Sequence, residues 1–294
     1  QSSIYKEVLL CFKIPVTRHL TGLIYWINRY FFIVNCEGTR YMPQIKVSKS
    51  YHINLTAVSN LLSEGVSVVT VTNRPAFMHN TYNNFLRQTY HPRELIIILN
   101  NNSMNIKNWR QQAPPHESIK IFQLDEEVSL GECLNYAVAR TSYEYIAKFD
   151  DDDYYAPEFI STGMKSLLSV NTHIVGKACR FIYFESSSTL ALYEPVPEYS
   201  YVEYVPGATM IIKKLVFDKV RFPDLNAEED SDFQEECLQK GFLIYASDRF
   251  NYVTVRRPDK DTHTFKLDDE TYMGYCEEII SIDDFRPIII RADE

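Results

Sequence analysis

Four consecutive aspartates, Asp150-Asp151-Asp152-Asp153, follow directly on the stretch Tyr145-Ile146-Ala147-Lys148-Phe149. Adjacent like charges repel and each carboxylate resists leaving water, so such a run at the end of a buried strand needs compensation. A divalent cation removes both costs. Hard carboxylate oxygens select Mg²⁺, Mn²⁺ or Ca²⁺ over softer metals, and one or two carboxylates with phosphate oxygens completing the shell suit a metal-bound nucleotide diphosphate. A second acidic run, Glu229-Asp230-Ser231-Asp232, opens a segment that reads as a helix from Glu229 to Lys240, ended by Gly241. A carboxylate there can cap the helix, where the macrodipole favours negative charge, or take a proton from a hydroxyl. The plain alternatives are a solvated acidic turn for the first run and a helix cap for the second.

The elements around these runs must position them. Val66 to Thr72 is a β-branched run suited to a strand buried on both faces, closed by the turn Asn73-Arg74-Pro75. A helix follows with Phe77, Thr81 and Phe85 on one face beside Met78 and Tyr82. Leu95 to Leu99 is a second buried strand, ended by Asn100-Asn101-Asn102-Ser103, and Ile119 to Phe122 a third. Leu130, Cys133, Leu134, Ala137 and Val138 form an amphipathic helical stripe, and Tyr145 to Phe149 is the fourth strand. This β-α-β-α-β-α-β series predicts a mostly parallel sheet with helices on both faces, with ligands at the carboxyl ends of its strands. The tips Thr72-Asn73-Arg74, Asn100 to Asn102 and Asp150 to Asp153 are expected to converge there. The second half is more mixed. A helix opens at Pro157 with Ile160, Met164, Leu167 and Leu168 on one side, then come a strand pair at Cys179–Glu185 and Leu190–Tyr193, a turn at Val205 leading into a strand, and a strand at Phe242–Ala246.

Four stretches in order carry a resemblance. Phe149-Asp150-Asp151-Asp152-Asp153 resembles the D-x-D motif of family 2 glycosyltransferases with the GT-A fold, a largely bacterial type. Val66 to Pro75 resembles that family's opening strand and its N-R-P turn. Arg87-Gln88-Thr89-Tyr90 with Glu94-Leu95-Ile96-Ile97, and Glu229-Asp230-Ser231-Asp232-Phe233, resemble two further stretches. The resemblance covers roughly residues 66 to 266. It implies an α/β protein of GT-A type, with a Rossmann-like nucleotide-binding half and a mixed acceptor half. It also implies a metal-dependent inverting transfer of a sugar from a nucleotide-diphosphate sugar to a hydroxyl acceptor such as a glycan or cell-surface polymer.

Carried over by residue, the resemblance places Thr72, Asn73, Arg74, Asn100, Asp150 and Asp151 on the nucleotide sugar, with Asp150 at the ribose or nucleotide. It places Asp152 and His263 on a Mn²⁺ or Mg²⁺ ion, with one of Asp151 and Asp153 free to face solvent. Asp230 is the matched base and Glu229 the second choice. Gly207-Ala208-Thr209 resembles a loop beneath the acceptor, and Arg256, Arg257 and Lys260 are candidates to neutralise the leaving diphosphate. In two places the chain departs from the pattern: Asn100-Asn101-Asn102 replaces acidic residues after the second strand, and the usual aromatic residue before Asn73 is missing. The nucleobase is therefore not inherited from the family.

A net charge of -9 excludes sequence-independent nucleic-acid binding, which needs a Lys and Arg excess. Cys11, Cys36, Cys133, Cys179, Cys237 and Cys276 show no metal or disulfide spacing, which suits a reducing compartment. The apolar stretch from Leu20 to Val34 is interrupted by Asn28 and Arg29 and is shorter than a membrane span. No signal peptide is read from Gln1 onward, an upstream segment being left open. The expectation is a cytoplasmic protein, with peripheral membrane contact left open. Residues 1–62 are expected to form an N-terminal region, either an accessory β module or a cap on the main domain, with strands at Tyr30–Asn35 and within Gln44–Leu55. Residues 63–266 are expected to form the GT-A domain, and 267–294 a C-terminal extension. A haloacid-dehalogenase-type phosphatase is disfavoured because its D-x-D follows the first strand. A non-catalytic nucleotide-sugar or carbohydrate-binding assembly protein with the same fold is the other reading.

Overall fold

The computed structural model describes residues 36–37, 44–45, 64–115, 117–193, 196–259 and 266–292. It divides the chain into two units, Gln1–Asn60 and Leu61–Glu294. In the first, β1 (Cys36–Glu37) pairs antiparallel with β2 (Gln44–Ile45). The strand expected at Tyr30–Asn35 and the remainder of Gln44–Leu55 lie outside the described residues.

The second unit opens with β3 (Val66–Thr72), α1 (Met78–Leu86), β4 (Arg93–Asn100), α2 (Ile106–Gln112), β5 (Ile119–Leu124), α3 (Leu130–Val138) and β6 (Tyr145–Lys148). It continues through β7 (Tyr154–Tyr155), α4 (Phe159–Ser169), β8 (Ile174–Gly176), β9 (Arg180–Phe184), β10 (Thr189–Tyr193), β11 (Ser200–Val202) and β12 (Ile211–Lys213). The last elements are α5 (Glu229–Gln239), β13 (Ile244–Ala246), β14 (Tyr252–Arg256), α6 (Asp269–Met273), β15 (Cys276–Ser281) and α7 (Arg286–Ile289).

The main sheet has the order β11-β13-β8-β12-β6-β3-β4-β5. β6, β3, β4 and β5 are parallel; β12 runs against β6 and β8, and β11 against β13. Period-two alternation divides the core between the faces. Val68, Leu95, Ile97 and Ala147 pack with Phe85, Trp109, Phe159 and Met164 from α1, α2 and α4. Val69, Ile96, Ile98 and Ile146 pack with Leu134, Ala137, Phe233 and Cys237 from α3 and α5. The expected mostly parallel sheet between helical layers is therefore present. In α4, Phe159, Ile160, Met164 and Leu167 are buried, but Leu168 is turned outward and 46% exposed. The apolar stripe is narrower than the sequence pattern suggested.

A second sheet, ordered β15-β10-β9-β14-β7, carries the extension after residue 267 as its edge strand. Ile289 of α7 is buried in the core of this sheet. Among the described residues, no helix is long and apolar enough to cross a membrane.

Glu94, first residue of the E-L-I-I stretch, is a structural carboxylate. It is buried and accepts from Ser67 Oγ (2.7 Å), from Ser142 N (2.5 Å) and Oγ (3.1 Å), and pairs with Lys120 Nζ at 2.8 Å. Burial pushes its pKa up, but Lys120 and these donors outweigh that and hold it below the ordinary 4.5. A depressed carboxylate contributes stability above the unfolded value and loses it as pH falls through the folded one. Glu94→Ala should lower unfolding free energy by about 2–3 kcal/mol at neutral pH by leaving these donors unsatisfied. The deficit should shrink below pH 4.5, read by urea unfolding across pH. The Q-T-Y stretch is likewise architectural. Gln88 Nε2 donates to Ala156 O and its Oε1 accepts from Ile160 N, while Tyr90 Oη donates to Glu64 O.

Candidate active site

From β3 the chain steps outward to β4 and β5, then returns to the other side of β3 as β6. The order of strands reverses between β3 and β6, and at such a point the carboxyl ends leave a crevice for ligands. Thr72 and Asp150 to Asp153 stand on its two sides, so the aspartate run is held at the tips of neighbouring strands.

The backbone of the run is pinned from two sides. Asn80 and Asn84, one turn apart on α1, donate to Asp151 O (2.8 Å) and Asp153 O (2.9 and 2.8 Å). Beneath it Phe149 and Tyr155 stack with centroids 3.7 Å apart, and Phe159 meets both edge-on. The Tyr155 hydroxyl accepts from Asp150 N and donates to Ala208 O, each at 2.8 Å, joining the run to the 207–209 loop.

The four carboxylates have separate roles. Asp150 is the most open; its Oδ1 lies 2.7 Å from Lys148 Nζ. Asp151 is buried, accepts from Thr72 Oγ1 and pairs with Arg74. Burial, then the Asp152 charge, push its pKa up to about 6 despite Arg74. Asp152 pairs with Arg74 Nη1 at 3.0 Å and Arg257 Nη1 at 3.2 Å, both on Oδ2. Asp153 is buried, accepting from Tyr252 Oη and from Val255 N at 3.1 Å; burial pushes its pKa up to about 8. The expectation that one of Asp151 and Asp153 faces solvent is therefore corrected. Both point inward because protein donors await them there, and Asp150 keeps the outward place.

The other two predicted tips join this crevice. Asn101 Nδ2 donates to Asn73 O at 3.0 Å, linking the ends of β3 and β4. Both amide hydrogens of Asn100 go to Asp125 O (2.7 Å) and Val128 O (3.1 Å), so this side chain braces the loop after β5. That loop returns the acidic groups missing from residues 100–102. Asp125 Oδ2 lies 3.3 Å from Asn102 Nδ2, and Glu126 Oε2 accepts from Asn102 N at 3.1 Å.

On the opposite side of the crevice, α5 presents Glu229 and Asp230. Asp230 Oδ2 accepts from Gly207 N (2.8 Å) and Tyr204 Oη (3.2 Å), and its Oδ1 from Ser231 N (2.9 Å). It thus takes one first-turn N–H of its own helix and faces the loop at once. Glu229 is buried, which pushes its pKa up against the pull of Lys148. Burial draws the pKa of Lys148 down, but Asp150, Glu229 and Asp230 more than offset this, and the ammonium between the two acidic groups stays charged.

A Cβ on Gly207 would lie 2.5 Å from Asp230 Oδ2 and 2.8 Å from its Cβ, so only glycine admits this carboxylate. Gly207→Ala should displace Asp230 from this loop and lower the unfolding free energy by about 1–3 kcal/mol, measured by urea unfolding.

Of the basic residues from the end of β14 onward, Arg257 reaches the site and also donates to Asp152 O. Arg256 does not: it is buried on the other side of the strand, against Tyr272 and Asp269, and donates to Leu267 O at 2.5 Å. His263 and Lys260 lie outside the described residues. Sequence reasoning missed Lys148, Tyr155, Tyr204 and the Asn80/Asn84 pair. The asparagines carried one signal: two of them inside a helix act against its propensity and imply a use.

The fold and crevice define a GT-A type architecture, and comparison with known proteins agrees. The crystal structure of S. aureus TarS 1–349 in complex with UDP-GlcNAc superposes with a TM-score of 0.52 at 14% identity, covering 72% of this chain and 64% of that one. The mannosyltransferase PcManGT from Pyrobaculum calidifontis, in complex with GDP-Man and Mn²⁺, gives 0.51 at 13% identity, covering 72% and 59%. The chain thus spans less than two thirds of either neighbour, and at this identity the likeness concerns the fold. Residues 67–204 match the family model "Glycosyl transferase family 2". No curated protein matches the chain.

Proposed function

We propose that the chain is a metal-dependent inverting glycosyltransferase that moves a sugar from a nucleotide-diphosphate sugar to a hydroxyl of a glycan or cell-surface polymer. The observation that carries this reading is the pairing across one crevice of an aspartate run at the strand switch point with a hydrogen-bonded carboxylate, Asp230, on α5. The family match over residues 67–204 and the nucleotide sugars held by both neighbours support it.

The donor set suits a hard divalent cation. Asp150 and Asp152 offer carboxylate oxygens at the mouth of the crevice, and phosphate oxygens of the donor would complete the shell. Among the described residues, no cluster of three or more His, Cys, Asp or Glu could hold a metal ion. When bound, Mn²⁺ or Mg²⁺ would supply positive charge to the departing diphosphate. Arg74 and Arg257 add fixed positive charge at the same place. Thr72, Asn73 and Asp151 shape the donor side of the crevice together with Asp150. Asp230 takes the proton of the acceptor hydroxyl as the new bond forms, with Glu229 beside it. Attack from the face opposite the leaving diphosphate, in one displacement, inverts the anomeric carbon.

The free thiols Cys133, Cys179, Cys237 and Cys276 fit a reducing, cytoplasmic setting. Incubation with a panel of nucleotide sugars, Mn²⁺ and glycan acceptors, followed by assay of released nucleoside diphosphate, tests the proposal. Release that depends on metal and acceptor is the expected result. Tight binding of nucleotide sugar without release under any acceptor would replace it with the binding-protein reading.

A further inference from the structure

Asp152 is closed in an unusual way. One oxygen, Oδ2, receives Nη1 of both Arg74 (3.0 Å) and Arg257 (3.2 Å), and Arg257 also donates to the backbone carbonyl of the same residue. Both guanidiniums lie over one aromatic ring, that of Phe77, at 4.6 and 4.4 Å from its centroid. Phe77 ends the short 3₁₀ turn Pro75–Phe77 that follows β3. The two arginine side chains remain 29% and 18% exposed, so an incoming ligand can reach them.

We propose that Arg74 and Arg257, held together by Phe77, keep Asp152 closed to a divalent cation until a diphosphate draws the guanidiniums onto itself. This rests on the reading of the crevice as a nucleotide-diphosphate site. A cation on Oδ2 would sit beside two fixed positive charges, which repel it strongly at such range. A diphosphate offers both planar guanidiniums bidentate oxygen partners and more negative charge than one carboxylate. The shared ring favours a short swing over full release, because the cation–π contact persists while the hydrogen-bond partner changes. Linkage makes the effect reciprocal: diphosphate promotes cation binding at Asp152, and the cation promotes diphosphate binding at the arginines. Phe77 is thus a positioning residue that acts through the two guanidiniums.

The test measures Mn²⁺ binding to the full chain without nucleotide, by the loss of the free-ion paramagnetic resonance signal, and uridine or guanosine diphosphate binding without metal, by calorimetry. Arg257→Gln should bind Mn²⁺ about tenfold more tightly than the parent when no nucleotide is present, and nucleoside diphosphate about tenfold more weakly. Phe77→Leu leaves every charge in place, so a change in general electrostatics would not move it. It should shift both affinities in the same directions by about threefold. Adding Asp152→Asn to either variant should abolish the gain in Mn²⁺ affinity. Equal Mn²⁺ affinity in the parent, Arg257→Gln and Phe77→Leu would overturn the clamp and leave the transferase reading intact. Failure of the parent to bind either nucleoside diphosphate, with or without Mn²⁺, would overturn both.

Discussion

Asp230→Asn should lower kcat by about three orders of magnitude while donor affinity changes little. The amide keeps an oxygen for Gly207 N and Tyr204 Oη, so loop and helix stay in register. What disappears is the capacity to receive a proton from the acceptor hydroxyl. Under the proposed mechanism the fall appears in kcat, because Asp230 is assigned to the acceptor and the groups assigned to the diphosphate lie across the crevice. Calorimetric titration with the nucleoside diphosphate beside steady-state kinetics separates the two quantities. Unchanged kcat would move the base role to Glu229, the buried carboxylate beside it.

Asp152→Asn should cost about two to three orders of magnitude in turnover and abolish saturable Mn²⁺ binding. An amide oxygen is a weaker ligand than a carboxylate, and the leaving group loses the charge that the cation would bring. The arginines would lose their shared anionic partner at the same time, so nucleoside diphosphate without metal should bind equally well or better. That opposite movement of metal and diphosphate affinity distinguishes a ligand role for Asp152 from a structural one. Asp151 and Asp153 offer a contrast. Their inward hydrogen bonds predict that substitution there damages folding before catalysis.

Much of the parallel half was legible in the residues. Val66–Thr72 and Leu130–Val138 occupy the element bounds expected of them, because a β-branched run and an i, i+3, i+4 stripe each satisfy one local period. The D-x-D run and the start of α5 were visible because like charges at the end of an apolar strand are costly without a purpose. The divergent features depended on contacts distant in sequence. Leu168 is apolar yet exposed because the faces of α4 are decided by what packs on them. Arg256 and Arg257 are chemically identical neighbours, yet Arg256, the last residue of β14, goes to Tyr272 and Arg257, just beyond the strand, goes to Asp152. The acidic residues absent from Asn100 to Asn102 reappear beside them as Asp125 and Glu126, from a different strand end.

The amino-acid sequence by itself determined the alternation of strands and helices and the place of the carboxylates at strand and helix ends. Those follow from local periodicity and local charge. Tertiary structure alone decided which aspartates face inward and that two arginines meet over Phe77 on one oxygen of Asp152. Each of these is a pairing between residues on different elements, fixed by the order in which strands assemble around the switch point.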